Sequence, residues 1–306
     1  MKVLLTGATG FIGSHVARQL IRRGHSVRAV MRAGADPRRV AELLPALERA
    51  TLDLWSASRS ELEAACGGVE LVIHPAWYAV PGKYLAAREN LDCAAGTLQL
   101  LEAAAAAGAR RFVGVGSCFE YEFTDQPLAE SNPVGPRSLY AASKVATRYQ
   151  GEQLAQLLGV SFAWARVFYL YGPHEDERRL VPAVIRSLLR GESIDVTSGV
   201  QVRDFLHVSD VAAGLVAAAE SALTGVVNVG SGEPVTIRQI VETLEQLTGR
   251  KGLARFGARP DHPTDPPFVC ADVSRLRGAT GWRPAFTLIS GLEDTIRWSK
   301  SLVAAP

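Results

Sequence analysis

Cysteine is scarce in this 306-residue chain. The four present, Cys66, Cys93, Cys118 and Cys270, are scattered, with no CxxC pair and no histidine at zinc-ligand spacing, which argues against a zinc site and a disulfide scaffold. They read as reduced thiols, and no metal is expected. An excess of one charge is equally lacking: the formal net charge is +2, too weak a field to draw nucleic acid or an anionic membrane surface. No apolar run escapes glycine or charge for long enough to cross a bilayer. At the amino terminus the apolar residues reach a glycine turn by Gly7, too soon for a signal-peptide core. The expectation is a soluble, cytoplasmic protein with neither a membrane nor a nucleic-acid partner. A small anionic ligand stays open, because a local arginine cluster needs no global excess.

What the sequence does have is length and alternation. A chain of 306 residues can bury a sizeable core and suits a large domain with a smaller lobe. Short β-rich runs at residues 3–5, 26–31, 71–74, 111–114 and 162–167 alternate with helical apolar spacing at 12–22, 91–107 and 142–158. This is the pattern of βαβ units, and it predicts an α/β protein with a Rossmann-type, doubly wound parallel sheet. Beyond residue 172 it loosens into Gly- and Pro-rich connections around helices at 181–190, 211–221 and 237–248, with β-like runs at 193–197 and 226–229. Residues 1–172 are therefore expected to form the dinucleotide-binding domain, with the chain crossing back between lobes, and residues 173–306 to form mainly a smaller α/β substrate lobe.

The segment Thr6, Gly7, Ala8, Thr9, Gly10, Phe11, Ile12, Gly13 follows the first strand and opens the first helix, the context a dinucleotide fingerprint requires. Gly7 permits the tight turn, Gly10 the approach of a pyrophosphate, and Gly13 close packing of helix on strand. An acid that binds the adenosine ribose is expected about 20 residues further on. That place holds Met31 and then Arg32. Without a carboxylate a 2′-phosphate is not repelled, and a guanidinium can hold it, so NADP(H) is favoured over NAD(H). Arg38 and Arg39 either add to that site or are plain surface charge. Asp53, followed by Leu54 after the next β-run, either faces the adenine or is an ordinary loop aspartate.

Tyr140 and Lys144 stand four residues apart, hence on one face of a helix. A free phenol, with a pKa of about 10, is a poor acid-base catalyst at neutral pH, and a nearby ammonium and a positive nicotinamide ring would lower that value. Upstream, Ser117 closes an apolar strand-like run and can donate a hydrogen bond to a substrate oxygen beside Tyr140.

These pieces resemble the extended short-chain dehydrogenase/reductase family, and within it the nucleotide-sugar epimerases, dehydratases and reductases. The likeness runs through TGATGFIG from Thr6, IHPAW from Ile73, ENLDCAAGT around Asn90, GSCFEY from Gly116 and YAASK from Tyr140. It continues in RVFYLYGP from Arg166, RDFLHVSDVA from Arg203, NVGSGEPVTI from Asn228 and GWRP from Gly281. The resemblance implies Ser117, Tyr140 and Lys144 as the catalytic triad, Asn90 as the supporting helix-borne Asn, and Phe11, Ile12, Asp53, Leu54, Pro75 and Ala76 along the cofactor. It further implies Arg203 and Arg259 on the diphosphate of a nucleotide sugar, and a homodimer built on the two long Ala-rich helices.

Departures from the family pattern narrow the activity. The Asp and Glu that serve sugar-nucleotide dehydratases after the catalytic hydroxyl are here Cys118 and Phe119, which cannot supply acid and base for loss of water. Glu122 stands where glycine is usual, and Tyr169 where asparagine is usual, both near the expected sugar pocket. Together with the missing ribose-binding acid, this leads to the expectation of an NAD(P)H-dependent reductase of a nucleotide-linked 4-keto-6-deoxysugar. The alternatives are a 4-epimerase with tightly held NAD, a reductase of small ketones, and a non-catalytic NADP-sensing protein.

Overall fold

The computed structural model describes residues 1–304. The first half of the chain runs β1 (Lys2–Leu5), α1 (Phe11–Arg22), β2 (Ser26–Met31), β3 (Leu47–Thr51), α2 (Arg59–Cys66), β4 (Leu71–His74), α3 (Glu89–Ala106), β5 (Arg111–Ser117), α4 (Leu139–Leu158) and β6 (Ser161–Val167). It continues as β7 (Tyr169–Tyr171), α5 (Leu180–Arg190), β8 (Ile194–Val196), β9 (Val202–His207), α6 (Val208–Glu220) and β10 (Gly225–Val229). The last elements are β11 (Pro234–Thr236), α7 (Ile237–Thr248), β12 (Ala254–Phe256), β13 (Phe268–Val269), α8 (Ser274–Thr280) and α9 (Leu288–Ala304).

Seven strands make one parallel sheet in the order β3-β2-β1-β4-β5-β6-β10. Strand side chains alternate between faces. Leu4, Val30, Val72, Phe112 and Trp164 therefore pack under α2, α3 and α4, while Val3, Leu5, Ala29, Ile73, Val113 and Ala165 pack under α1 and α6. Trp164 lies flat beneath β5 because its neighbours there lack side chains. A Cβ on Gly114 would stand 2.5 Å from the indole, and one on Gly116 2.3 Å from its Nε1.

The smaller layer centres on β9, flanked by β11, β13 and β7, with a separate β8–β12 pair; α5, α7 and α9 cover it with a core of their own. The segments at 211–221 and 226–229, grouped by sequence with the substrate lobe, belong instead to the large sheet. β10 pairs in parallel with β6 from Gly225 opposite Ala163 to Val229 opposite Val167, and α6 buries Val211, Ala212, Leu215 and Val216 against the α1 side. β-propensity marks a strand but does not name its partner, and this partner lies some sixty residues earlier. No helix among the described residues is long and apolar enough to cross a membrane, and no cluster of three or more potential metal ligands occurs among them.

The order reverses between β1 and β4, which opens a crevice at the carboxyl ends of the strands. Close packing there rests on missing side chains: a Cβ on Gly13 would sit 2.0 Å from the Gly7 carbonyl oxygen, a backbone atom with no freedom to yield. Gly13→Ala is expected to lose about 1–3 kcal/mol and to weaken dinucleotide binding. Gly278→Ala, in α8 with open space around it, is expected to be neutral or to gain up to about 1 kcal/mol. Chemical denaturation of the two variants checks both.

Candidate active site

The turn after β1 is built for close approach. Gly7 adopts φ 60°, where a side chain is strained, and a Cβ there would meet the Ala76 backbone at 3.1 Å. Gly10 then precedes α1 with no side chain over the free N–H groups of its first turn, leaving them and the positive helix end for an anion. From this turn a cavity of about 630 Å³ runs along the crevice to the smaller layer. Gly7, Gly10, Phe11, Ile12, Gly13, Pro75 and Ala76 line its first half, and Ser117, Cys118, Phe119, Tyr140, Lys144, Tyr169 and Arg203 the rest. Residues read from separate stretches of sequence thus meet in one place.

At the centre, α4 presents Tyr140 and Lys144 on the face turned to the end of β5. The Lys144 ammonium donates to the Val115 carbonyl at 2.6 Å and lies 3.5 Å from the centre of the Trp77 ring. Burial pulls Lys144 down to about 7, with the Glu120 carboxylate acting in the opposite sense. Burial pushes the Tyr140 phenol above its ordinary value, opposed by hydrogen bonding from Ser117. Burial thus works against the lowering expected of that phenol. Cys118 is buried and its thiol is pushed up to about 12, so it stays neutral and cannot take a dehydratase acid's place.

Ser117 is held by a capping box. Its hydroxyl accepts from the Phe119 N–H at 3.2 Å, and its own N–H donates to Glu120 Oε1 at 2.8 Å. Glu120, fully buried, also accepts from Trp164 Nε1 at 2.9 Å and from Arg166 Nε at 2.9 Å. The S-x-x-E spacing of Ser117 and Glu120 was a readable signal for this support.

Beyond the triad the cavity is aromatic. The Tyr169 ring packs 6.1 Å from Phe119 and 5.6 Å from Phe205, and Arg203 lies beneath Tyr169 with its Nη2 on Asp265 at 2.6 Å.

Several sequence-named residues stand elsewhere. Thr9 does not line the cavity; its carbonyl accepts from Arg39 at 3.4 Å. Arg32 is exposed and away from it, because the chain turns back after β2 and delivers Arg39 to the cavity wall instead, where its Nε also donates to the His174 carbonyl at 3.1 Å. Asp53 is exposed and caps its own turn by accepting from the Trp55 N–H at 3.1 Å, while Leu54 is buried in the core under α3. Asn90 acts one step back. Its Nδ2 donates to the Tyr84 and Ala87 carbonyls, both at 2.7 Å, and its Oδ1 accepts from Trp77 Nε1 at 2.7 Å, fixing the ring that covers Lys144. Arg259 is exposed and outside the lining. Trp77, which closes the IHPAW segment, also lines the cavity with Tyr84, Glu175, Arg179 and Asp265, and the sequence assigned a role to none of them. Glu175 is pushed up to about 8 by burial and its Oε2 lacks a partner.

Comparison with known proteins agrees with this geometry. Residues 3–230 match the NAD dependent epimerase/dehydratase family. The chain is 30% identical to UDP-glucuronic acid decarboxylase 1 of Xenopus tropicalis over 97% of its own length and 72% of that protein's. It is 28% identical to UDP-glucose 4-epimerase of Corynebacterium glutamicum, over 99% and 97%. A solved structure of MoeE5 in complex with UDP-glucose and NAD superposes with a TM-score of 0.84 at 30% identity, covering 99% of this chain and all of that one.

Two outcomes follow from the Ser117, Tyr140 and Lys144 group. Tyr140→Phe is expected to lower turnover by about 100-fold or more while leaving dinucleotide affinity nearly unchanged, read by steady-state rates and by titration calorimetry. Because Lys144 carries its proton only below about 7, dinucleotide affinity should fall as pH rises through that value, and Lys144→Met should flatten the dependence.

Proposed function

The chain belongs to the NAD-dependent epimerase/dehydratase family, and on that footing we propose that it is a nucleotide-sugar 4-epimerase. The observation that carries this reading is the single cavity that joins a phosphate-binding glycine turn, the Ser117, Tyr140 and Lys144 group, and the guanidinium of Arg203. Gly7, Gly10 and the first turn of α1 would hold a nicotinamide dinucleotide, which would supply a reversible hydride acceptor for the sugar C4. Tyr140 takes the proton of the C4 hydroxyl and later gives it back, Ser117 holds the oxygen through both transfers, and Lys144 supplies the positive charge that favours the phenolate. Arg203 holds the diphosphate, which leaves the sugar free to turn its other face. Water-loss chemistry finds no support, since Cys118 and Phe119 offer neither acid nor base. The relatives named above are an epimerase, a decarboxylase and a protein crystallised with UDP-glucose, and they favour this reading over the ketoreductase expected from sequence.

One feature still favours a 4-ketoreductase using NADPH as the second reading. β2 ends in Met31 followed by Arg32 instead of a ribose-binding acid, and Arg39 presents a guanidinium in the cavity wall, half-buried and suited to a 2′-phosphate. The epimerase reading takes NAD. In either case a homodimer would cover Leu91, Tyr149 and Leu157, exposed on α3 and α4, and the enzyme would work in the cytoplasm.

Incubation with UDP-glucose without added cofactor separates the two readings. The epimerase yields the C4 epimer with no net change at the reduced-nicotinamide absorbance. Failure to form it, with stoichiometric oxidation of NADPH by nucleotide 4-keto-6-deoxysugars, would establish the reductase instead.

A further inference from the structure

Arg203 is 3% exposed, and both of its terminal nitrogens are engaged: Nη1 donates to the Val202 carbonyl at 2.7 Å and Nη2 to Asp265 Oδ1 at 2.6 Å. A guanidinium this deeply buried requires a counter-charge. Asp265, 37% exposed, provides one from a segment with no strand or helix of its own. That segment, residues 257–265, is strapped along the turn between β8 and β9. Gly257 donates to the Thr197 carbonyl at 3.1 Å, and Asp261 accepts from the Ser198 N–H at 3.2 Å and from Gln201 Nε2 at 2.7 Å. Thr197, Gln201, Arg203 and Asp265 all line the substrate end of the cavity.

We propose that Asp265 is an internal anion which stands in the place of a substrate phosphate on Arg203 and is exchanged for it when the nucleotide sugar binds. The proposal rests on the reading of Arg203 as the diphosphate-binding residue. Two anions cannot share one Arg203 nitrogen without repulsion, so an incoming diphosphate displaces the carboxylate. With it moves the end of the strap, while the Asp261 contacts hold its other part in place. Asp265 thereby sets a threshold: ligands without a strong anion at this position leave the Arg203–Asp265 pair closed.

The test is titration calorimetry of the full chain with UDP. Asp265→Asn should bind UDP about fivefold tighter than the unaltered protein, and Asp265→Glu, which retains the pair, should stay within about twofold of it. In an Arg203→Gln background the same Asp265→Asn change should give no gain, because exchange acts through that guanidinium. Equal or weaker binding by Asp265→Asn would overturn the exchange and leave the nucleotide-sugar reading standing. So would a gain that persists without Arg203, which would mark simple repulsion. Failure of UDP to bind the unaltered protein or any variant would overturn the nucleotide-sugar reading itself.

Discussion

The site depends on how closely α1 approaches the turn that follows β1. Gly13 lies against the Gly7 carbonyl with no room for a methyl group, and this contact brings the amino end of the helix to the crevice. A second restraint crosses the same point. His74, at the end of β4, receives a hydrogen bond from the Thr6 hydroxyl on Nδ1 at 2.8 Å and donates from Nε2 to Thr97 at 2.9 Å; Thr97 in turn donates to the Cys93 carbonyl. Because the Thr97 proton is committed to Cys93, the tautomer is fixed. Burial lowers the ring to about 3, so it remains neutral. β1, β4 and α3 are thus tied together beneath the place where strand order reverses.

Around that frame the polarity of the cavity is arranged by burial more than by ion pairs. Tyr140, Cys118 and Glu175 are pushed toward their neutral forms and Lys144 is drawn toward neutrality by the same burial. One fixed ion pair, Glu120 and Arg166, sits a layer lower and fastens the Ser117 N–H and the Trp164 indole. Removing one member of such a buried pair typically costs about 3–5 kcal/mol, since the other is left uncompensated. Gly114 and Gly116 are part of the same arrangement, because only bare backbone lets Trp164 and Glu120 lie beneath β5.

Much of this was legible in the sequence, for physical reasons. Alternation of β-rich runs with helical spacing follows from local periodicity, and the glycine turn and the Tyr140–Lys144 pair are short-range patterns whose geometry a helix or turn dictates. The parts that were not legible depend on contacts distant in sequence. Arg39 was left open between this site and plain surface charge; that it, and not Arg32, lines the cavity goes with contacts to Thr9 and to His174, the latter 135 residues away. Asp53, left open between an adenine contact and a loop aspartate, caps its own turn, and Asn90 acts through Trp77. Asp265 meets Arg203 across 62 residues, and no local pattern marks the pair. The membership of β10 in the large sheet is a fact of the same kind.

That last placement bears on how the molecule comes into being. During synthesis the nucleotide-binding layer emerges first, yet one face of its sheet is covered by α6 and one edge is closed by β10, which ends at Val229. A nascent chain that has emerged only through β6 therefore exposes apolar surface on that face and an unpaired strand edge. It must hold this layer unfinished while β7, α5, β8 and β9 of the other layer are made. The large sheet is thus closed only after much of the smaller layer has been made, and the smaller layer is finished last, with α9.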